Sequence, residues 1–146
     1  MKNLLLLILL PLISLAANTR DSYRICLNAS NKLESPADRD TEKINCFNQS
    51  RVRTSVDACL NLARVLEHTS ASDSLILGFI NDNILSLQMD ECVSTAKKLY
   101  YSENRDKALW SCLESHPVRH TRCKRITDEM TFLHNRNVAL INRSNT

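Results

Sequence analysis

The sequence predicts an all-α protein made of four helix-turn-helix units of about 33 residues, stacked as a short α-solenoid and stapled by disulfides. Three observations carry this. The chain of 146 residues holds one glycine, Gly78, and three prolines, whereas sheets of short strands need many turn residues. Apolar residues recur at helical spacing, as in Val56, Cys59, Leu60, Ala63 and Leu66, in Val93, Ala96, Leu99 and Tyr100, and in Ile126, Met130 and Leu133. These stripes are also copies of one another.

The copies align on Cys26, Cys59, Cys92 and Cys123, at steps of 33, 33 and 31 residues. Four positions on stand small residues, Ser30, Ala63, Ala96 and Thr127. Seven on stand Leu33, Leu66, Leu99 and Met130. At twelve come Asp38, Ala71, Asn104 and Asn135, and at thirteen Arg39, Ser72, Arg105 and Arg136. At fourteen come Asp40, Asp73, Asp106 and Asn137, and at eighteen Ile44, Leu77, Trp110 and Ile141. At twenty come Cys46, Phe79, Cys112 and Arg143. A period near 33 with two helices per copy is the signature of an α-hairpin array.

In chain order, residues 1–17 read as a cleaved secretory leader. Lys2 precedes an apolar run from Leu4 to Leu10, and small residues Ser14, Ala16 and Ala17 close it. The run is shorter than the ~20 residues a membrane span needs. Residues 18–146 then form one helical-repeat domain, with units near 22–53, 54–85, 86–116 and 117–146. In each unit the first helix runs from the cysteine past the Leu/Met column. The Asp/Asn column at twelve is expected to N-cap the second helix, with the following acid favouring its positive end. Thr54 with Asp57 offers a capping-box pair for the second unit, and Pro117 breaks the chain after the third.

Six cysteines in a short exported chain read as three disulfides. A helix descending about ten residues, roughly 15 Å, and a partner climbing back return Cys92 and Cys112 to one end of a hairpin. Cys26 and Cys46 have the same separation. Cys26–Cys46 and Cys92–Cys112 are therefore the expected pairs, each closing a loop and stabilising by roughly 3 kcal/mol. Cys46–Cys59 with Cys112–Cys123 is the rival scheme, and Cys59–Cys92 with Cys112–Cys123 a mixed one. Cys59 and Cys123 lie two units apart and have no evident partner.

Tandem helical hairpins of this length, with a small residue in the first helix at Ser30, Ala63, Ala96 and Thr127, resemble the tetratricopeptide and Sel1-like repeat families, the latter in its secreted cysteine-rich form. The resemblance covers nearly the whole mature chain as architecture. It implies peptide or protein binding on a concave face rather than chemistry.

Candidate sites are few. His116 and His120 are four apart, a ligand spacing on a helix, but Pro117 lies between them and no carboxylate completes a set, so they read as loop histidines. His68 and His134 are isolated. No nucleophile elbow or nucleotide loop is present, and no catalytic residue, metal ligand or cofactor is expected. Arg39, Arg105 and Arg136 share a column and would line one edge of a stack, where they would bind carboxylates of a peptide; the alternative is local pairing at each turn. Tyr101 is the aromatic expected to be exposed, since Tyr100 falls nearer the Leu99 stripe. Asn28, Asn48 and Asn142 stand in glycosylation sequons, which matter only in a eukaryotic secretory pathway.

Net charge is +3 with the two signs interspersed, unlike the dense basic stripe of a nucleic-acid binder. The expected function is a secreted or periplasmic binding module making protein or peptide contacts, with no membrane span after leader cleavage. The alternative is a six-cysteine helical carrier enclosing an apolar ligand in a cavity of some hundreds of Å³. Insect odorant-binding proteins are of that class, but they need closely spaced cysteine pairs, and the gaps here hold 19, 12, 32, 19 and 10 residues. A secreted hydrolase is the third possibility, with no residue set to support it.

Overall fold

The computed structural model describes the backbone of residues 11–144 and the side chains of residues 21–132 and 134–141. Residues 1–10 of the expected leader, and the side chains of Asn142 and Arg143, lie outside these. The described residues form eight α-helices and no strand: α1 (Pro11–Ser30), α2 (Pro36–Gln49), α3 (Val56–Ala63), α4 (Thr69–Asn83), α5 (Met89–Ala96), α6 (Ser102–Ser115), α7 (His120–Thr127) and α8 (Leu133–Ser144). A 3-10 turn, Arg51–Thr54, precedes α3. Among the described residues no helix is long and apolar enough to cross a membrane.

The chain divides into two compact units, one ending at Arg53 and one starting at Thr54. In the first, α1 packs on α2, and the Cys26–Cys46 disulfide joins them with 5.8 Å between Cα atoms. In the second, α3 packs on α4, α5 on α6 and α7 on α8. Here α3 also lies beside α5, α4 beside α5 and α6, and α6 beside α7 and α8. Cys92–Cys112 joins α5 to α6, again with 5.8 Å between Cα atoms.

The three short helices of the second unit bury the same register. Cys59, Leu62 and Ala63 of α3 correspond to Cys92, Thr95 and Ala96 of α5, and to Cys123, Ile126 and Thr127 of α7. That 0, +3, +4 spacing puts one narrow stripe on one face. The small residue at +4 lets the partner helix approach closely. The longer helices supply the bulk of the core, through Leu75, Ile76, Phe79 and Ile80 of α4 and Ala108, Leu109 and Leu113 of α6.

Two disulfides form, not three. Cys59 and Cys123 are thiols, both buried. They sit in the first helix of units whose twentieth position holds Phe79 or Arg143 in place of a cysteine. Phe79 is itself buried and fills that place beside α3.

The helix starts differ from expectation in an instructive way. Ser35, not Asp38, is the N-cap of α2: its Oγ accepts from the Asp38 N–H at 3.4 Å, and Pro36 occupies the first turn. Ser55, not Thr54, caps α3 by accepting from the Ala58 N–H at 3.3 Å. Asn104 and Asn135 are not caps but third residues of α6 and α8. The first helices are also shorter than ten residues past the cysteine, since α5 and α7 end four residues after Cys92 and Cys123.

Candidate functional site

The caps of α6 and α8 come from the preceding hairpin. Asp73, on α4 and 1% exposed, accepts from the main-chain N–H of Tyr100 at 2.7 Å and of Tyr101 at 3.0 Å, and from Asn104 Nδ2 at 3.0 Å. Asp106, on α6 and equally buried, accepts from the N–H of Thr131 and of Phe132, each at 2.9 Å, and from Asn135 Nδ2 at 3.2 Å. Both carboxylates thus hold the loop before the next long helix, through equivalent atoms. A carboxylate at a helix N-terminus satisfies N–H groups that lack intrahelical partners and opposes the positive end of the dipole. The columns at twelve and fourteen are the two halves of this one contact, read across neighbouring units. Asp40 occupies the same column and is buried, and Asn137, in the fourth unit, is exposed.

This clamp displays the loop side chains outward. Tyr100 is 69% exposed, Tyr101 44% and Phe132 45%, so three of the chain's seven aromatics stand on two equivalent turns. Tyr100 is the more exposed tyrosine, contrary to the stripe reading, because α5 ends at Ala96 and Tyr100 lies beyond it in the turn. The two rings meet edge to face with centroids 5.2 Å apart. The Tyr101 hydroxyl lies 3.2 Å from Thr69 Oγ1 on the adjacent turn. Arg105 donates from Nη2 to Thr131 Oγ1 at 2.9 Å, beside Phe132. Tyr101 and Arg105 therefore share one edge of the second unit.

The other two arginines of the column face inward on their own turns. Arg39 donates from Nη1 to the carbonyls of Leu33 at 2.7 Å and Glu34 at 2.8 Å. Arg136 donates from Nε to Thr127 O at 3.2 Å, and from Nη2 to Asp128 O at 3.2 Å and Met130 O at 3.1 Å. Each guanidinium covers carbonyls left open where a first helix ends. The column is real, but its members do different work.

Two further depressions lie in the second unit. One, of about 340 Å³, runs between α6 and α8 and is lined by Trp110, Val138, Lys107, His134, Glu103 and Asn135 among others. The Lys107 ammonium donates to Glu103 at 2.8 Å; that hydrogen bond and the adjacent charge hold the Glu103 carboxyl below its ordinary range. Trp110 is half-buried there rather than in the core. The other depression, of about 390 Å³, is polar and lined by Asp90, Thr121, Arg122 and Arg125 at the starts of α5 and α7.

His116 and His120 stand on opposite sides of the break between α6 and α7. His116 Nδ1 lies 2.9 Å from Cys112 O and Nε2 2.8 Å from Leu87 O, so its ring ties the end of α6 to the turn before α5. Among the described residues, Cys26, Glu42 and Cys46 are close enough to hold a metal, but both sulfurs are spent in the disulfide. Burial pushes the Cys59 thiol up to about 12, which makes it a poor nucleophile at neutral pH.

Compared with protein-family profiles, curated proteins and solved structures, the chain matches none. Its fold and its polar contacts define a small all-helical, disulfide-bonded protein.

Proposed function

We propose that the chain is a small binding module of four stacked helical hairpins, a short solenoid of the tetratricopeptide or Sel1-like plan, acting outside the cytoplasm through protein or peptide contacts. The observation that carries the reading is the repeated carboxylate clamp. Asp73 and Asp106 make the same three bonds to the next hairpin, as expected where one unit is copied and stacked on the last. Stacking turns short loops into a continuous edge, and Tyr101 and Arg105 with Tyr100 and Phe132 form the contact surface on it. Rigid aromatics and arginine are the side chains that anchor partners at low entropic cost. The two disulfides support an oxidising compartment.

A phage-displayed peptide library panned against the oxidised protein tests this. Enriched peptides should lose at least tenfold in affinity with Tyr101→Ala or Phe132→Ala and leave Gly78→Ala unaffected. Enriched peptides indifferent to both aromatic substitutions would refute the placement.

The groove beside Trp110 favours a second reading, a carrier of a small apolar ligand. Its volume is at the small end for ligand sites. Stoichiometric binding of an apolar fluorescent probe, quenched through Trp110 and displaced by lipids, would establish that reading over the first.

A further inference from the structure

Charge is segregated along the second unit. Residues 54–116 carry nine acidic and five basic side chains, whereas residues 117–146 carry two acidic and six basic. Four of those six crowd into seven residues, Arg119, Arg122, Lys124 and Arg125, with His120 among them. They span about 10 Å at 1.5 Å per residue. Arg122 pairs with Asp90 of α5. Arg119, His120, Lys124 and Arg125 are exposed. Cations at the start of a helix oppose its dipole, at a cost of about 0.3–1 kcal/mol each, and the Arg122–Asp90 pair offsets only one of them.

We propose that this α7 surface docks a short acidic segment of a partner protein; the inference rests on the binding-module reading and names the partner's chemistry. Charge complementarity requires an anion, and the footprint sets its length. A polyanion longer than about 10 Å runs from α7 onto the acidic helices before it, which disfavours nucleic acid and sulfated glycan. The exposed positions of α7, His120, Thr121, Lys124 and Arg125, offer no apolar side chain to anchor in a bilayer. A few carboxylates on an extended peptide, about 3.3 Å apart per residue, match the spacing. The polar depression lined by Thr121, Arg122 and Arg125 receives one of them. Asp90 on its rim repels that same group.

The test uses the full oxidised chain and three fluorescein-labelled octapeptides in which Gly alternates with Glu, Gln or Lys, read by anisotropy. The Glu peptide should bind, and raising NaCl from 0.05 to 0.5 M should weaken it about fivefold or more. Lys124→Glu with Arg125→Glu should weaken it at least tenfold with the urea midpoint unchanged. Asp90→Asn should tighten it about two- to threefold, a gain that a purely structural role for the cluster would not produce. Equal affinity for the Gln peptide, no gain with Asp90→Asn, or tighter binding to a sulfated oligosaccharide or to phosphatidylserine vesicles than to the Glu peptide overturns the proposal. Library peptides that bind at Tyr101 while the Glu peptide fails would sink this inference alone and leave the binding-module reading standing.

Discussion

Replacing Asp73 by alanine removes three acceptors at once. Its carboxylate takes bonds from Tyr100 N, Tyr101 N and Asn104 Nδ2 at 2.7, 3.0 and 3.0 Å. Bonds to a charged partner contribute about 1.5–3 kcal/mol each, and a donor stranded away from water costs about 1–3 kcal/mol. Tyr100 is largely exposed, so its N–H regains water and contributes least. The three losses share one loop and do not add. Together they give about 3–4 kcal/mol, a large share of the ~5–15 kcal/mol that holds a domain folded. Asp106→Ala should cost the same within about 1 kcal/mol, because its donor set is the same. Asp73→Asn should fall between, since one oxygen remains but an amide NH2 then faces a main-chain N–H. Urea unfolding of the oxidised protein followed by circular dichroism measures these differences. Hydrogen exchange locates them, with protection lost first at Tyr101. Asp82, exposed on the same helix, is the control, and Asp82→Ala should stay within about 0.5 kcal/mol of wild type. A cost for Asp73→Ala no larger than that of the control would refute the clamp as a source of stability.

Three further outcomes follow from the same structure. Gly78 sits inside α4, and a methyl group on its Cα would meet nothing within 4 Å, so Gly78→Ala should raise stability by about 0.5–1 kcal/mol, seen as a higher urea midpoint; a lower midpoint would mean the glycine is needed. Thr95 Oγ1 is buried with no partner among the described residues, so Thr95→Val, which keeps the shape, should stabilise by roughly 1 kcal/mol, and a destabilisation beyond about 1 kcal/mol would place an unseen partner there. Cys59 has its thiol raised from about 9 to about 12 by burial. The folded state therefore prefers the neutral thiol, and that preference is fully kept below pH 9 and lost as pH rises toward 12. Iodoacetamide should leave Cys59 unmodified at pH 8 until urea unfolds the chain, and wild type should lose stability relative to Cys59→Ala between pH 9 and 12; rapid labelling of the folded protein at pH 8 would contradict the burial.

Much of this is legible as columns. The cysteine register points to Cys26–Cys46 and Cys92–Cys112, because two helices that turn back must return to one level. The same register holds the information that Cys59 and Cys123 stay thiols, since Phe79 and Arg143 stand where a partner would be; counting cysteines in even numbers obscures it. The acidic and amide columns are visible too, but a column shows which residues are alike and not which unit they serve. Asn104 reads as a cap for its own helix because caps are commonly local. The cap is instead a carboxylate some thirty residues earlier, a distance no local pattern reveals. Tyr100 is misplaced for a related reason: periodicity runs on past the point where α5 stops, and only the structure marks that end at Ala96.

The scarcity of glycine ties these features together. Helices commonly end on a glycine in the left-handed region, which lets the last carbonyls find partners. This chain has one glycine, inside α4, and no described residue has positive φ. Its short helices must satisfy their ends in other ways. Arg39 and Arg136 do so from the following helix, by donating to carbonyls of the turn. The N-terminal ends of the long helices are met by Asp73 and Asp106 from the hairpin before. Side chains used in this way are removed from recognition, which is why the arginine column does not act as a ladder. What remains outward, Tyr100, Tyr101, Arg105 and Phe132 on the turns and the cations of α7, is the part of the surface that folding does not consume. A partner must be met there, and substitutions at those positions should change binding while leaving the urea midpoint in place, whereas substitutions at Asp73 or Arg136 should do the reverse.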